Sequence, residues 1–350
     1  MKKLLYIFFS FILFSFTFNL DTIWPNSLNP GMRSSATYVD YNSPDGFKIS
    51  HENSIDETKI FKQIYNKNKA YVWRLDTIAS NSIPENRKLA YKYYSEIPGV
   101  VWIEKTMFCD ETEVANVYWQ EFLFSQNKLE KINLGKSKNL IDLGYFIKPQ
   151  FYFFPVVEVS YEDILDFCKW RTEVVTRNYN KRHGNDKNSE NYTVFEYQLP
   201  TEAEWIKCAT FAIDTLKYPH ILIDSLLTMK VNLKNLEFLQ SLGSNANKQI
   251  LDNFNKIIKK DYVFNCKRIN NDFMNFKVPF AIWSYPSNQY GLYNILGNVS
   301  EMVLEKGISK GGSFKDLYKN CTPNRKFNYT KPEIHLGFRC ICKLKWPNIK

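Results

Sequence analysis

The stretch Leu199-Pro-Thr-Glu-Ala-Glu-Trp205 decides most about the fold. Thr201 and Glu204 have the spacing of a capping box, in which each side chain bonds the other residue's backbone N–H, so a helix is predicted to begin here. Pro200, directly before the cap, helps to set how the chain enters that helix. The sequence Ser160-Tyr-Glu-Asp163 has the same pattern and predicts a second capped helix.

The surrounding sequence predicts short strands and loops around these helices. Val100 to Ile103 is typical of a strand, and so is the aromatic and β-branched stretch from Phe151 to Val159. Glu113 to Leu123 has the apolar spacing of a helix with one buried face. Residues 280–342 read as short strands and tight glycine turns. The pattern therefore predicts a loop-rich α+β fold, with two capped helices among short antiparallel strands.

Length and charge narrow the class of protein. The chain has 350 residues, which suits one large domain with an extension, and its 44% hydrophobic and 16% aromatic content allows a sizeable core. The formal charge is +10, but the basic residues are scattered. Nucleic-acid binding needs a basic stripe or a reader motif, and the sequence has neither, so no nucleic-acid partner is expected.

The N-terminus predicts export. Lys2 and Lys3 precede an apolar run from Leu4 to Leu20, as in a secretory signal, so we assign 1–20 as a signal peptide. The expected location is the periplasm or cell envelope of a Gram-negative bacterium. The alternative is an uncleaved segment that associates with the membrane. We assign 21–98 as an N-terminal extension, with helices over 54–70 and 83–94, and 99–345 as the main domain, with a largely helical insertion at 209–262.

Seven cysteines and four histidines limit the metal and redox chemistry. An odd count leaves at least one free thiol or an intermolecular bond. There is no CxxC pair and no HExxH motif, so a zinc site is not expected.

Several segments, in order along the chain, carry a resemblance to one family. Through these segments the chain resembles the formylglycine-generating enzyme family, which is also called the sulfatase-modifying factor family. The resemblance implies that family's compact α+β fold, which is similar to C-type lectins. The matching segments are Glu113-Val-Ala-Asn116, Pro155-Val-Val-Glu-Val-Ser160, Leu199–Trp205, Tyr290-Gly-Leu-Tyr-Asn-Ile-Leu-Gly-Asn-Val-Ser-Glu301, Lys310-Gly-Gly-Ser-Phe314 and Leu336-Gly-Phe-Arg339.

A narrower resemblance points to envelope machinery. The sequences Cys168-Lys-Trp-Arg-Thr172, Gly311-Gly-Ser-Phe-Lys-Asp316 and Arg325-Lys-Phe-Asn-Tyr329 look like those of the gliding-motility and type IX secretion proteins GldJ and GldK (PorK). This implies envelope or secretion-system proteins as partners, with a homo-oligomer as a further possibility.

The resemblance also implies calcium. Its ligands would be the side chains of Asn294 and Glu301 and the carbonyls of Gly297 and Val299, a set of hard oxygen donors that suits Ca²⁺. The alternative is a metal-free glycine turn in which Asn294 and Glu301 cap backbone groups. A second family site would use the side chains of Asn265 and Asp272 and the carbonyls of Cys266 and Met274.

The same resemblance raises the question of catalysis. Members that make formylglycine carry two cysteines after Gly-Gly-Ser, and the pair binds Cu(I). Here the two positions hold Asp316 and Cys321. A carboxylate is a hard ligand and a soft Cu(I) ion prefers two thiolates, so Cu(I) is expected only if the protein is an oxidase after all. Ser313 is the remaining candidate, and a serine after Gly-Gly more often serves the turn. A Cys208–Cys340 disulfide is a further implication, with two simple core thiols as the alternative.

These observations favour an exported, non-catalytic domain that acts as a structural or assembly component of the cell envelope. One alternative is a formylglycine-generating-type oxidase that modifies a cysteine of an exported protein. The other is a lectin-like module that binds glycans or proteins.

Overall fold

The computed structural model describes residues 34, 36–38, 88–89, 92–93, 96–148, 151–210, 264–267, 279–282, 288 and 290–346. The predicted signal peptide, the predicted helix over 54–70, the insertion beyond Thr210, and the two predicted metal ligands Asp272 and Met274 lie outside the described residues. Within the predicted helix over 83–94, only residues 88–89 and 92–93 are described, and all four are helical.

Besides those helical residues, eight strands and four α-helices have described bounds. In chain order they are β1 (Val100–Glu104), β2 (Met107–Asp110), α1 (Asn116–Ser125), α2 (Lys138–Leu143), α3 (Tyr161–His183), β3 (Val194–Gln198), α4 (Glu202–Ala209), β4 (Ser300–Met302), β5 (Ile308–Lys310), β6 (Phe327–Asn328), β7 (Leu336–Gly337) and β8 (Ile341–Lys345). Short 3₁₀ turns cover Leu129–Lys131 and Tyr318–Asn320.

The strands form two small sheets. The first has the order β1-β2-β8-β3 and is antiparallel throughout. The second has the order β6-β5-β4-β7, and its β4–β7 pair is parallel. The α+β architecture with short, mainly antiparallel strands is as predicted, and the one parallel pair is an addition.

Helix α3 covers the open edge of the first sheet. The backbone N–H groups of Phe195 and Tyr197 on the edge strand β3 donate to the hydroxyls of Thr176 (3.0 Å) and Thr172 (2.8 Å) on the helix. An uncovered edge strand would present unpaired N–H groups to other chains. The helix side chains therefore satisfy this edge from within the domain.

Both predicted helix starts are correct, but they are built differently. At α4 the capping box is complete, because Thr201 accepts from Glu204 N–H and Glu204 accepts from Thr201 N–H (2.9 Å). At α3, Ser160 accepts from Asp163 N–H (3.1 Å), but Asp163 accepts from the Ser160 hydroxyl (2.6 Å) rather than reaching the backbone. Only the Thr201 cap is therefore a reciprocal box.

The helix predicted over Glu113 to Leu123 begins later than expected. Helix α1 starts at Asn116, because Ala115 forms a β-bridge with Pro155 and holds the chain extended. The residues 116–123 are buried on every side, so the helix has no single apolar face. The displaced start leaves Glu113 outside the helix, with its carboxyl group buried.

The strand predicted over Phe151 to Val159 is wrong. This stretch forms turns as far as Phe154 and a single β-bridge at Pro155, and two of its carbonyls serve the start of α1. Asn116 N–H donates to Phe154 O and Val117 N–H donates to Tyr152 O, each at 2.9 Å. A helix start needs acceptors for its first N–H groups, and this demand overrides the strand propensity of the aromatic residues.

Part of the assigned N-terminal extension belongs to the core. Ser34, Ala36 and Thr37 are almost fully buried. The hydroxyls of Ser34 and Thr37 each donate to the carboxylate of Glu121 at 2.5 Å, and the Ala36 carbonyl accepts from Arg171 Nε at 2.8 Å. The domain is therefore assembled with a segment that lies well before β1. None of the helices in the described part of the chain is long and apolar enough to cross a membrane.

Candidate functional site

Three of the sequence motifs meet at one buried ion pair. Glu301 is the middle residue of β4 and faces Arg339, whose Nε and Nη2 donate to its two oxygens at 2.6–2.8 Å. The Trp205 indole N–H donates to Glu301 Oε2 at 2.6 Å. All three side chains are at most 1% exposed. This arrangement, the Glu301–Arg339 pair, joins three distant segments of the chain.

The remaining donors of Arg339 are bound by backbone oxygens. Nη1 donates to Asp110 O at 3.1 Å and Nη2 donates to Tyr293 O at 2.8 Å. A buried charge is tolerated when its partners leave no donor unsatisfied. The guanidinium therefore works as a structural junction between β2, the glycine turn and β4.

A second buried carboxyl group, Glu113, lies beside this junction. The Asn298 amide donates to Glu113 Oε1 at 2.9 Å and the Asn294 amide donates to Oε2 at 3.2 Å. Burial raises the pKa of Glu113 to about 8, while the nearby Arg339 lowers it and Glu301 raises it. The sequence did not predict Glu113 as a site residue, because it placed Glu113 as the first residue of an ordinary helix.

The predicted calcium ligands divide into two groups. Asn294 Oδ1 is buried and has no hydrogen-bond partner, so this oxygen fits a cation. Both oxygens of Glu301 are already engaged by Arg339 and Trp205, so the only carboxylate of the predicted set is neutralised by a neighbouring cation. Asn294 therefore suits Ca²⁺ and Glu301 suits it poorly. Among the described residues there is no group of three or more His, Cys, Asp or Glu side chains placed to hold a metal.

The glycine turn that contains Gly297 and Val299 packs tightly on the second predicted site. Gly297 has φ +74°, and a Cβ atom there would lie 2.4 Å from the Asn265 carbonyl oxygen. That carbonyl accepts from Asn298 N–H at 2.8 Å, and the Asn265 amide donates to Asn298 Oδ1 at 3.2 Å. Val299 and Cys266 are buried in the core beside this turn. The two predicted sites are thus in contact through Asn265 and Asn298.

Asp316, at the first of the two family cysteine positions, closes a turn with Ser313. Asp316 Oδ2 accepts from the Ser313 N–H (2.9 Å) and from the Ser313 hydroxyl (2.6 Å). The carboxylate and the hydroxyl are therefore both used within the turn. Lys267 N–H donates to Asp316 O at 2.8 Å, which ties the turn to residues 264–267.

Cys321 is buried beneath this turn. It is 3% exposed, and its thiol has only weak contacts, to Leu317 O at 3.7 Å and Ser313 O at 4.0 Å. Burial raises the pKa of Cys321, and the neighbouring Cys266 and Asp316 raise it further. A thiolate is the reactive and metal-binding form of cysteine, so this environment suppresses that chemistry.

The cysteine pairing differs from the one implied by the resemblance. Cys340 lies next to Cys168, with 3.6 Å between the two sulfur atoms. Cys208 interacts instead with Cys109, whose pKa is raised first by burial and then by Cys208. The implied Cys208–Cys340 pair is therefore wrong, because Cys340 faces α3 whereas Cys208 faces β2.

The two sheets, the capped helices and the long connecting loops define an α+β domain of the kind that resembles C-type lectins. A family model, the sulfatase-modifying factor enzyme 1-like domain of FGE-sulfatase proteins, matches residues 95–344. The chain belongs to this family. No curated protein matches the sequence closely enough to count as a relative.

Three solved structures are similar to this chain at low sequence identity. The Treponema denticola variable protein 1 is 16% identical, with 70% of this chain and 91% of that chain covered and a TM-score of 0.36. PvdO from Pseudomonas aeruginosa is 14% identical, with 69% and 82% covered and a TM-score of 0.39. CarF is 16% identical, with 70% and 92% covered and a TM-score of 0.31. Likenesses of this size carry no argument about function.

Proposed function

We propose that this protein is an exported, non-catalytic member of its family that serves as a structural or assembly component of the cell envelope. The observation that carries the proposal is the state of the family's cysteine positions. Asp316 occupies the first position and uses its carboxylate to close the Ser313 turn, and Cys321 at the second position is buried.

The chemistry of the turn supports the absence of oxidase activity. A Cu(I) site of the family type needs two thiolates, and a carboxylate is a poor substitute for one of them. The remaining thiol, Cys321, has a raised pKa and weak contacts only. Ser313 is not an alternative nucleophile, because its hydroxyl donates to Asp316 and accepts from Lys315 N–H at 3.2 Å. We therefore assign no catalytic role to these three residues.

The envelope role is supported by the sequence. The apolar run that follows Lys2 and Lys3 is the reason for proposing export, and the GldJ- and GldK-like segments are the reason for proposing type IX secretion or gliding-type machinery. On this proposal, the partners are other envelope or secretion-system proteins, and a homo-oligomer is compatible with it. One fold can host unrelated functions, so a family domain without the reactive cysteine pair can serve a structural role.

Complementation in the native organism tests the proposal. Deletion of the gene is expected to impair secretion or assembly of surface proteins, and both the wild-type gene and Cys321→Ser are expected to restore it equally. Asp316→Asn serves as a second variant, because it keeps the shape of the turn while removing the charge. Failure of a folded, exported Cys321→Ser to restore the phenotype would favour the oxidase, and a normal secretion phenotype would favour a binding module.

We also propose calcium binding at the glycine turn, with Asn294 Oδ1 and the carbonyls of Gly297 and Val299 as ligands. The unpartnered, buried Asn294 oxygen supports it. Glu301→Ala does not test this proposal, because the variant would strand Arg339 whether or not calcium binds. Direct calorimetric titration of chelator-treated protein with Ca²⁺ does, with Asn294→Leu as the comparison. Saturable binding that is lost in Asn294→Leu is expected, and no heat of binding in the wild type contradicts it.

A further inference from the structure

The most exposed apolar side chains of the described residues lie close together in the sequence. Six large hydrophobic side chains are exposed in the described part of the chain, and the three most exposed lie within residues 128–148. In this stretch, the 128–148 segment, Leu134 is 75% exposed, Leu143 is 45% exposed and Ile147 is 48% exposed. Exposed apolar residues that are scattered singly need no explanation, whereas a concentration of them marks an interaction surface.

The inner side of the 128–148 segment is fixed to the domain. The amide of Asn116, on α1, donates to Tyr145 O at 2.9 Å. The amide of Gln120, also on α1, donates to Phe146 O at 2.6 Å. The side chains of Leu140, Tyr145 and Phe146 are buried. The segment is therefore held in place by its buried residues, and its exposed apolar side chains remain on the outside.

Leu134 lies in an open turn. Its N–H donates to Lys131 O at 2.9 Å, and Lys136 N–H donates to Asn133 O at 3.2 Å, so the chain reverses tightly. Gly135 has φ +74°, and no atom beyond its neighbouring residues lies within 4 Å of where its Cβ atom would be. The turn therefore carries an apolar side chain into open space.

The 128–148 segment is basic as well as apolar. It contains five lysines and only two acidic residues, Glu130 and Asp142. Lys136 is engaged inside the domain, since its ammonium group donates to the carbonyls of Val157 and Glu158 at 3.0 and 2.6 Å. The other four lysines are exposed, and they are Lys128, Lys131, Lys138 and Lys148.

This combination of side chains fits a bilayer with anionic headgroups. Apolar side chains enter the boundary between headgroups and acyl chains, and nearby lysines are attracted to the negative charge of the lipids. A second copy of this chain is a poorer match. In a symmetric dimer the same patch meets itself, so the four exposed lysines would approach those of the other subunit.

We propose that the 128–148 segment docks the domain onto an anionic phospholipid surface. Leu134 enters the boundary between headgroups and acyl chains, and the exposed lysines bind the lipid phosphates. The contact is peripheral and is separate from the apolar run near the N-terminus. Its place in the cell depends on the proposed export, whereas the binding itself does not.

Vesicle co-sedimentation tests the apolar part of the surface. The chain without residues 1–20 is mixed with phosphatidylcholine vesicles that contain phosphatidylglycerol, and with vesicles of phosphatidylcholine alone. Binding to the anionic vesicles is expected, and Leu134→Ser is expected to weaken it about tenfold, as for the loss of most of one buried leucine. The matched control is Leu304→Ser, which changes an exposed leucine outside the segment and is expected to bind as the wild type does.

A second pair of variants separates the segment from the overall positive charge of the protein. Lys131→Gln/Lys138→Gln is expected to weaken binding roughly 25-fold, at roughly fivefold for each lysine near the surface. Lys187→Gln/Lys331→Gln removes the same charge from exposed lysines elsewhere and is expected to have little effect. Added salt is expected to weaken wild-type binding, because it screens exposed charges.

Four results would overturn the proposal. They are no binding of the wild type to anionic vesicles, equal binding to neutral vesicles, equal losses in the two leucine variants, and equal losses in the two lysine pairs. Analytical ultracentrifugation without lipid covers the alternative occupant. A wild-type dimer that dissociates in Leu134→Ser, together with no vesicle binding, would assign the surface to a second copy. Each of these results leaves the proposed function standing, since the vesicle experiment does not involve the family's cysteine positions.

Discussion

At the scale of single residues, buried charges organise the centre of the domain. Glu301 and Arg339 are both buried and bind each other, and Trp205 and backbone carbonyls meet their remaining hydrogen-bonding groups. Removing one partner of such a pair leaves the other charge buried without compensation, which is far more harmful than losing an exposed pair.

Arg339→Met is therefore expected to destabilise the domain by about 3–5 kcal/mol. The control is Glu162→Gln, which breaks the exposed pair of Glu162 with Lys306 and is expected to change stability little. Equilibrium urea unfolding measures both variants. Similar stabilities for the two variants would show that the central pair is not formed.

Glu113 predicts a specific dependence of stability on pH. Its folded pKa of about 8 is above the unfolded value of about 4.3, so the folded state retains a proton that the unfolded state loses. The contribution of Glu113 is therefore fully present below about pH 4 and declines as pH rises towards 8, by up to about 1.4 kcal/mol per pH unit.

Glu113→Gln removes this titration and keeps the size of the side chain, although the glutamine NH₂ cannot accept one of the two Asn amide bonds. We expect the difference in unfolding free energy between Glu113→Gln and the wild type to move in favour of the variant from pH 5 to pH 8. Taking this difference cancels the titration of other groups, such as His335, whose pKa is lowered by burial. A difference that stays constant with pH would falsify the raised pKa.

Residue-scale roles were only partly predictable. The sequence placed Glu301 and Arg339 in motifs, but it could not show that they bind each other, because they are far apart in the chain. Glu113 lies in a family motif but was predicted only as the first residue of a helix, and no pattern singles out Asp110. The closure of the Ser313 turn by Asp316 depends on local geometry that residue type alone does not specify.

At the scale of elements, tight turns and caps position the motif residues. Gly297 has a positive φ of +74°, and the Asn265 carbonyl oxygen lies 2.4 Å from where its Cβ atom would be. Gly184, after α3, has a similar φ of +65° but nothing within 4 Å of that position. Alanine at Gly184 therefore introduces backbone strain alone, whereas alanine at Gly297 introduces backbone strain and a steric clash.

Gly297→Ala is expected to lower the Tm much more than Gly184→Ala, as measured by differential scanning calorimetry. Both variants incur the left-handed backbone penalty of about 1–2 kcal/mol, and only Gly297→Ala also displaces Asn265. Equal losses for the two variants would contradict the close approach of Gly297 to Asn265.

Elements with strong local signals were predicted well. The starts of α3 and α4 follow from their caps, because Ser160 and Thr201 act on N–H groups within one turn. The stretch from Phe151 to Val159 was predicted as a strand and is not one, since its carbonyls are used by the start of α1. Propensity is a local quantity, and this contact is a tertiary one.

At the scale of the whole molecule, the chain closes on itself through a short early segment. Ser34 and Thr37 bind Glu121 of α1, and Ala36 binds Arg171 of α3. No sequence pattern marks Ser34, Ala36 and Thr37 as part of the core, since the surrounding stretch is rich in turn-forming residues.

Removal of residues 1–38 is expected to lower the Tm and reduce the yield of folded protein. Removal of residues 1–33 keeps these contacts and serves as the control. The physical reason is that removal of Ser34 and Thr37 takes two donors from the buried carboxylate of Glu121. Thermal unfolding of the two purified truncations measures the difference. Equal Tm values would show that the segment is dispensable.

The family's reactive pair of cysteines is replaced here by Asp316 and Cys321, and we propose that Cys321 alone does not take over its chemistry. A Cu(I) titration of the reduced mature protein tests this most directly, when wild type and Cys321→Ser are compared under the same conditions. The result is the difference in Cu(I) binding between the two proteins, because other thiols such as Cys168 and Cys340 can also bind a soft ion. We predict identical stoichiometry and affinity in the two proteins. A tight one-to-one site that is present in the wild type and lost in Cys321→Ser would contradict the account and restore the oxidase.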